Sequence, residues 1–87
     1  MDMLSIMRER LIEGLTIVKY KEYANKYVVT LAIGSKVTTV DLLKNCAPGY
    51  HNDIVDRAIW TALSSIYLNM GDLVTAKKWL DKLCGGN

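Results

Sequence analysis

Residues 57–83 read RAIWTALSSIYLNMGDLVTAKKWLDKL, and this stretch decides the helical part of the fold. Before Gly71, apolar residues recur at steps of three and four, a spacing that places them on one face of a helix. These residues are Ile59, Leu63, Ile66 and Met70. Gly71 tolerates the left-handed backbone at a helix C-terminus, and Asp72 is a suitable N-cap for the next helix. The stretch therefore predicts a helical hairpin.

The second half of this stretch predicts a helix with one apolar side and one mostly charged side. The apolar side is Leu73, Ala76, Leu80 and Leu83, and the charged side is Lys77, Lys78, Asp81 and Lys82. Each helix also carries two large apolar neighbours, which cannot both point at one centre. The pairs are Ile59 with Trp60 and Trp79 with Leu80. One member of each pair is expected to contact something other than the central core.

The same hairpin matches a known repeat pattern at several spacings. The matching residues are Trp60, Leu63, Ser64, Tyr67, Ala76 and Leu80, with Gly71-Asp72 at the turn. On these residues, positions 57–87 resemble a single tetratricopeptide repeat, which implies two antiparallel helices. Ser64 replaces the small Gly of that family, and Leu83 stands where it prefers a small residue. One repeat length of about 34 residues upstream there is no second copy, whereas arrays need about three.

The N-terminus predicts a further amphipathic helix. Asp2 is a candidate N-cap, and Gly14 is the natural stop. Between them, apolar residues recur with helical period at Met3, Leu4, Met7, Leu11 and Ile12.

Residues 15–40 are rich in β-branched and aromatic side chains, which favour strands. Gly34-Ser35 suits a two-residue type II′ hairpin turn, and Ala24-Asn25 is expected to form the turn before it. These features predict a three-stranded antiparallel meander. The alternative is a helix over residues 20–33, which would make the fold all-α. The consecutive Val28, Val29 and Thr30 favour strand, because β-branched side chains lose rotamer freedom in helices.

A short helix is predicted around residues 40–46, with Thr38 or Thr39 as its cap. Asn52 or Asp53 is then expected to cap the long helix that carries Trp60. The predicted fold class is therefore α+β: an N-terminal helix, a three-stranded meander, a short helix and a C-terminal helical hairpin.

Composition limits the function of this chain of 87 residues, which is expected to form one compact domain over residues 1–87. A formal net charge of +2 lacks the strongly basic character of a typical nucleic-acid-binding domain. No apolar run approaches the ~20 residues of a membrane-spanning helix, and the N-terminus lacks the apolar core of a signal peptide. Two cysteines are too few for a disulfide framework, so a reducing cytoplasm is the expected compartment.

The sequence does not indicate an active site, a metal site or a cofactor. Cys46, His51 and Cys84 are too few and too widely spaced for a structural zinc site. No glycine-rich phosphate loop is present, and no acid is placed to orient a Cys–His pair. Asp53 and Asp56 suit the N-terminus of a helix, where negative charge is favourable. We therefore expect a protein that is not an enzyme.

A surplus of large aromatic residues gives the main functional expectation. Trp and Tyr are frequent anchors of protein interfaces. The candidate partner-binding residues are Tyr50, Trp60, Tyr67, Lys78 and Trp79. They predict a non-enzymatic interaction module, an inhibitor or adaptor that occupies a surface of a larger protein, with a homodimer as the other arrangement. Its size and composition are those of adaptors and of the small inhibitors that phages direct at host proteins.

The alternative function is a small DNA-binding regulator. A short helix followed by the long helix would form a helix-turn-helix, with Asn52 and Arg57 towards bases and Lys36 towards phosphate. Asp53 and Asp56 would then face phosphates unfavourably. Lys19, Lys21, Lys26 and Lys36 form a basic set on the predicted strands. Solvent-facing lysines also protect a sheet edge from pairing with other chains, so nucleic acid is the less favoured partner.

Overall fold

One helix, three strands and two further helices follow one another in the computed structural model, which describes residues 2–85. Their bounds are α1 Met3–Arg10, β1 Thr16–Glu22, β2 Lys26–Ile33, β3 Lys36–Leu43, α2 His51–Asn69 and α3 Leu73–Leu83, with a 3₁₀ turn at Pro48–Tyr50. The α+β prediction is confirmed, and the all-α alternative is wrong.

Helix α1 begins at the predicted cap. Asp2 Oδ1 accepts a hydrogen bond from the Ser5 backbone N–H at 2.8 Å, which satisfies one of the free donors of the first turn. The buried residues of α1 are Met3, Leu4, Ile6 and Met7. The helix ends at Arg10, earlier than the predicted stop, because the backbone of Leu11 is extended. Glu13 and Gly14 then both adopt positive φ and turn the chain into β1.

The three strands form an antiparallel sheet in the order β1-β2-β3, as the sequence predicted. Gly34 has φ 58° at the first position of the two-residue turn between β2 and β3, which is where a type II′ turn requires glycine. The preceding hairpin closes around Ala24-Asn25, where the Tyr23 N–H donates to the Lys26 carbonyl at 2.8 Å.

The two faces of the sheet differ in character. Tyr27, Val29 and Leu31 alternate along β2 and are buried, and the β3 partners of the first two, Leu42 and Val40, are buried beside them. This face packs against α1 and α2. The opposite face carries the intervening residues, of which Val28 and Thr30 are half-buried and Ala32 is buried. This face is more exposed than the first, which is a common arrangement for antiparallel sheets.

The short helix predicted over residues 40–46 is wrong, because β3 extends to Leu43. Val40 and Leu42 alternate into the core, and residues 40–43 pair with the first half of β2. The predicted capping threonines have other partners. Thr38 donates to the Ser65 hydroxyl at 3.1 Å, and the Thr39 hydroxyl lies 3.3 Å from that of Thr30.

Helix α2 is the centre of the helical layer and packs against β3, α1 and α3. It begins at His51 without a side-chain cap, so the predicted caps Asn52 and Asp53 lie inside its first turn. Gly71 has φ 79°, and Asp72 accepts from the Thr75 N–H at 3.1 Å, as the hairpin prediction required. The last two positions of the repeat-like stretch, 86 and 87, lie outside the described residues.

The hairpin is antiparallel, and a side chain fixes its far end. Arg57 Nη2 donates to the Leu83 carbonyl at 3.0 Å, so the end of α3 lies beside the first half of α2. An arginine at this place satisfies a free carbonyl and is favourable at the negative end of the helix dipole.

Candidate interaction surface

Large apolar side chains are exposed around the turn between α2 and α3 and along the outer side of α3. We call this set the hairpin surface: Leu68, Met70, Leu73, Val74 and Leu80. Val74 and Leu73 are the most open, with 84% and 65% of their surface exposed. The capped turn holds them on ordered helix ends, so they form a fixed surface.

The orientation of α3 explains this exposure. Ala76 and Trp79 are its buried residues, and α3 packs mainly against α2. The predicted apolar side is therefore wrong for Leu73 and Leu80, which face solvent. The large indole of Trp79 packs against α2. Because α2 is the main neighbour of α3, it cannot cover every apolar residue of α3. Of the two adjacent pairs, Ile59 and Trp79 belong to the core, while Trp60 is half-buried and Leu80 is exposed.

Lysines surround the apolar part of α3. Lys78 Nζ lies 4.7 Å from the centroid of the Trp79 ring, and Lys82 Nζ lies 5.5 Å from that of Trp60. Lys77 pairs with Asp81 at 3.0 Å, one helical turn away. The aromatic rings hold the ammonium groups through cation–π attraction. The hairpin surface thus has an apolar centre and a mainly positive rim.

The predicted partner-binding residues do not lie at one place. Tyr50 is exposed immediately before α2, whereas Tyr67 is half-buried in its last turn. The 19 residues of α2 make it about 28 Å long. Trp79 is in the core with 4% exposed, so its side chain cannot reach a partner. Lys78 is exposed on α3 and remains a candidate.

The indole of Trp79 has one unusual feature. Its Nε1 is buried and has no hydrogen-bond partner within residues 2–85. An unpaired buried donor costs free energy, so the burial of the ring must outweigh it.

A groove of about 320 Å³ lies between the end of α1 and α2, and Trp60 lines it together with Arg10 and Asp56. The two charged residues hydrogen-bond to each other, and these bonds to Asp56 raise the pKa of Arg10. Their mutual pairing leaves little charge for a ligand.

The helix-turn-helix interpretation is wrong, because a strand occupies the place of its first helix. Asn52 is exposed in the first turn of α2, but Arg57 is engaged with the end of α3. Lys36 opens β3, and the Thr38–Ser65 contact shows that this end of β3 lies near the second half of α2. Lys36 therefore lies near the C-terminal half of α2, whereas Asn52 lies at its N-terminal end.

Cys46 and Cys84 are free thiols, the first half-buried and the second exposed. Within the part of the chain that the structure describes, no three His, Cys, Asp or Glu side chains are grouped as metal ligands. In residues 2–85, no helix is both long and apolar enough to cross a bilayer.

No family model matches this chain, and neither a curated protein nor a solved structure is similar enough to count as a match. The resemblance of the hairpin to a tetratricopeptide repeat stays a prediction. Sequence reasoning missed Leu68 and Val74 as surface residues. The adjacent apolar pair of Trp79 and Leu80 was the signal that α3 carries more apolar residues than one contact can bury.

Proposed function

We propose that this protein is a small non-enzymatic interaction module, an inhibitor or adaptor that occupies a surface of a larger protein in the cytoplasm. The observation that carries the proposal is the exposed apolar hairpin surface. Single exposed apolar residues are normal, but several in one short segment are typical of protein contact sites. The free thiols of Cys46 and Cys84 support a reducing compartment.

The chemistry of the hairpin surface indicates what the partner offers. Leu73 and Leu80 lie two turns apart on the outer side of α3, with Val74 beside them. An amphipathic helix of this kind docks into an apolar groove through such anchors. The rim is mainly positive, because Lys77, Lys78 and Lys82 outnumber Asp81. A groove with acidic residues at its border would complement it, since opposite charges guide association.

The test is affinity capture from the native cytoplasm after nuclease treatment, with a matched pair of double variants. Leu73→Ser/Val74→Ser removes the two most exposed members of the hairpin surface. Val37→Ser/Leu43→Ser makes the same chemical change on β3, where both side chains are also exposed. We expect a stoichiometric protein that is retained by the wild type and the β3 variant but is lost with the hairpin variant.

Two results would contradict this proposal. Equal capture by both double variants would show that the hairpin surface is not the contact. A protein that forms a dimer at rising concentration, with the dimer lost only in Leu73→Ser/Val74→Ser, would make a second copy the occupant of the surface instead. Light scattering of the purified variants distinguishes that case.

A further inference from the structure

Strand β1 is an edge strand that the rest of the fold barely covers. Of its seven residues only Ile17 is half-buried, and the others are exposed, including Val18 and Tyr20. It pairs with β2 on one side only, so its other side presents free backbone N–H and C=O groups. The register is irregular around Val18 and regular from Lys19 to Glu22. The usable edge is therefore Lys19–Glu22.

The side chains around this edge are mainly basic. Lys19 and Lys21 lie on the open face of the sheet, where they line a shallow groove of about 330 Å³ with Val28 and Thr30. The Arg8 guanidinium lies 5.9 Å from the centroid of the Tyr20 ring. Among residues 2–85, none of these three cations forms an ion pair with a carboxylate.

The two acids of the sheet are already engaged. Glu22 accepts from Lys44 at 2.7 Å, and this hydrogen bond raises the pKa of Lys44. Asp41 accepts from Lys26 at 3.1 Å. The field at the β1 edge is therefore positive, and an acidic partner would find uncompensated charge there.

We propose that the outer edge of β1 is a docking site for an acidic, extended segment of a partner protein, which joins the sheet as a fourth strand. Backbone hydrogen bonds supply the pairing, as in other cases of strand addition, and the acidic side chains on the open face of the sheet contact Lys19 and Lys21. Arg8 lies with Tyr20 on the other face and adds to the positive field at this edge. The site shares no residue with the hairpin surface, so it gives the module a second contact that is independent of the first.

The charges argue against a second copy of the chain at this edge. Antiparallel pairing of two β1 strands centred on Tyr20 would place Lys19 of one copy opposite Lys21 of the other. Like charges at directly opposed positions destabilise a strand pair.

A nucleic acid at this edge is disfavoured for another reason. The Tyr20 ring already contacts Tyr27, with ring centroids 5.9 Å apart, and the Arg8 guanidinium lies 5.9 Å from its centroid, so both contacts compete with stacking by a base.

The probe for this proposal is a fluorescein-labelled octapeptide of alternating Glu and Val, titrated with the full-length protein and followed by fluorescence anisotropy. We expect binding that weakens with salt, together with amide shifts of Lys19–Glu22 in ¹⁵N spectra. Lys19→Glu/Lys21→Glu should lower the affinity by about tenfold or more through charge reversal. Lys36→Glu reverses one charge on β3, outside both proposed contacts, and should leave the affinity unchanged, whereas Lys21→Glu alone should lower it.

Backbone pairing needs its own control. The same peptide with alternate amides N-methylated keeps its charge but cannot pair along one edge, and it should lose binding. No binding of the unmodified peptide at millimolar concentration, or equal binding of the methylated peptide, would overturn the proposal. Tighter binding of an oligothymidine that displaces the peptide would assign the edge to nucleic acid. Leu73→Ser/Val74→Ser should bind the peptide normally, which separates this site from the hairpin surface.

Discussion

Arg10 of α1 and Asp56 of α2 form a two-pronged ion pair, in which Arg10 Nε donates to Oδ1 and Nη2 donates to Oδ2, each at 2.7 Å. The pair joins α1, which precedes the three strands in the chain, to α2, which follows them. Two parallel N–H···O bonds require the planar guanidinium, and the ammonium of lysine cannot reproduce them. We therefore expect Arg10→Lys to lower the midpoint of thermal unfolding although it keeps the charge.

The matched control for this pair is Lys77 with Asp81, which are more exposed and lie on one helix. Exposed pairs of that kind contribute little. Double-mutant cycles in urea should give a larger coupling between positions 10 and 56 than between positions 77 and 81. An equal or smaller coupling at positions 10 and 56 would show that the two-pronged geometry adds nothing to stability.

Trp79→Ala is expected to destabilise the fold by about 3–5 kcal/mol, because it opens a cavity between α2 and α3. Its neighbour Leu80 is exposed, so Leu80→Ala should stay within about 0.5 kcal/mol of the wild type. Trp79→Phe should cost less than Trp79→Ala, since it keeps most of the ring and removes an indole N–H that has no partner. Urea unfolding of the three variants measures the order of their losses in the free energy of unfolding. Similar losses for Trp79→Ala and Leu80→Ala would contradict the placement of Trp79 in the core.

The sequence predicted the order of most elements because their signals are local. Capping by Asp2 and Asp72, the glycine turns and the β-branched runs each depend on a few neighbouring residues. The end of β3 was different. Two threonines before residue 40 resemble a helix cap, but residues 40–43 belong to a strand because they pair with β2, and that contact is not visible in a local pattern.

The candidate surface was predicted less well than the fold, and α3 shows why. Its apolar residues outnumber those that one neighbour can bury, so the helix had two possible orientations. Packing of the Trp79 ring against α2 selects one of them and leaves Leu73 and Leu80 outside. Which apolar residues of α3 are buried depends on the shape of the facing surface of α2. The periodicity of the sequence does not give that shape.

Gly71→Ala should destabilise the hairpin by about 1 kcal/mol, because alanine disfavours the left-handed backbone that Gly71 adopts at φ 79°. Gly49→Ala is the matched control. Its φ is not positive, and an added Cβ meets no atom within 4 Å, so the same substitution should be neutral or slightly stabilising. Thermal unfolding of both variants provides the comparison. A loss at Gly49 as large as that at Gly71 would mean that the backbone conformation is not the cause.

The stability of α1 should depend on pH through Asp2. The hydrogen bond from the Ser5 N–H lowers the pKa of the Asp2 carboxyl from its ordinary value of 3.8. The folded state therefore holds this proton less tightly than the unfolded state does. The contribution of Asp2 to the stability of the fold is complete above its ordinary pKa and is lost as the pH falls through the lowered pKa.

The control is Asp2→Asn, because asparagine also caps a helix but does not titrate. Urea unfolding from about pH 5 to about pH 2 should show the wild type losing more stability than Asp2→Asn as the solution is acidified. Parallel losses in the two proteins would mean that the Asp2 carboxylate is not the group that titrates.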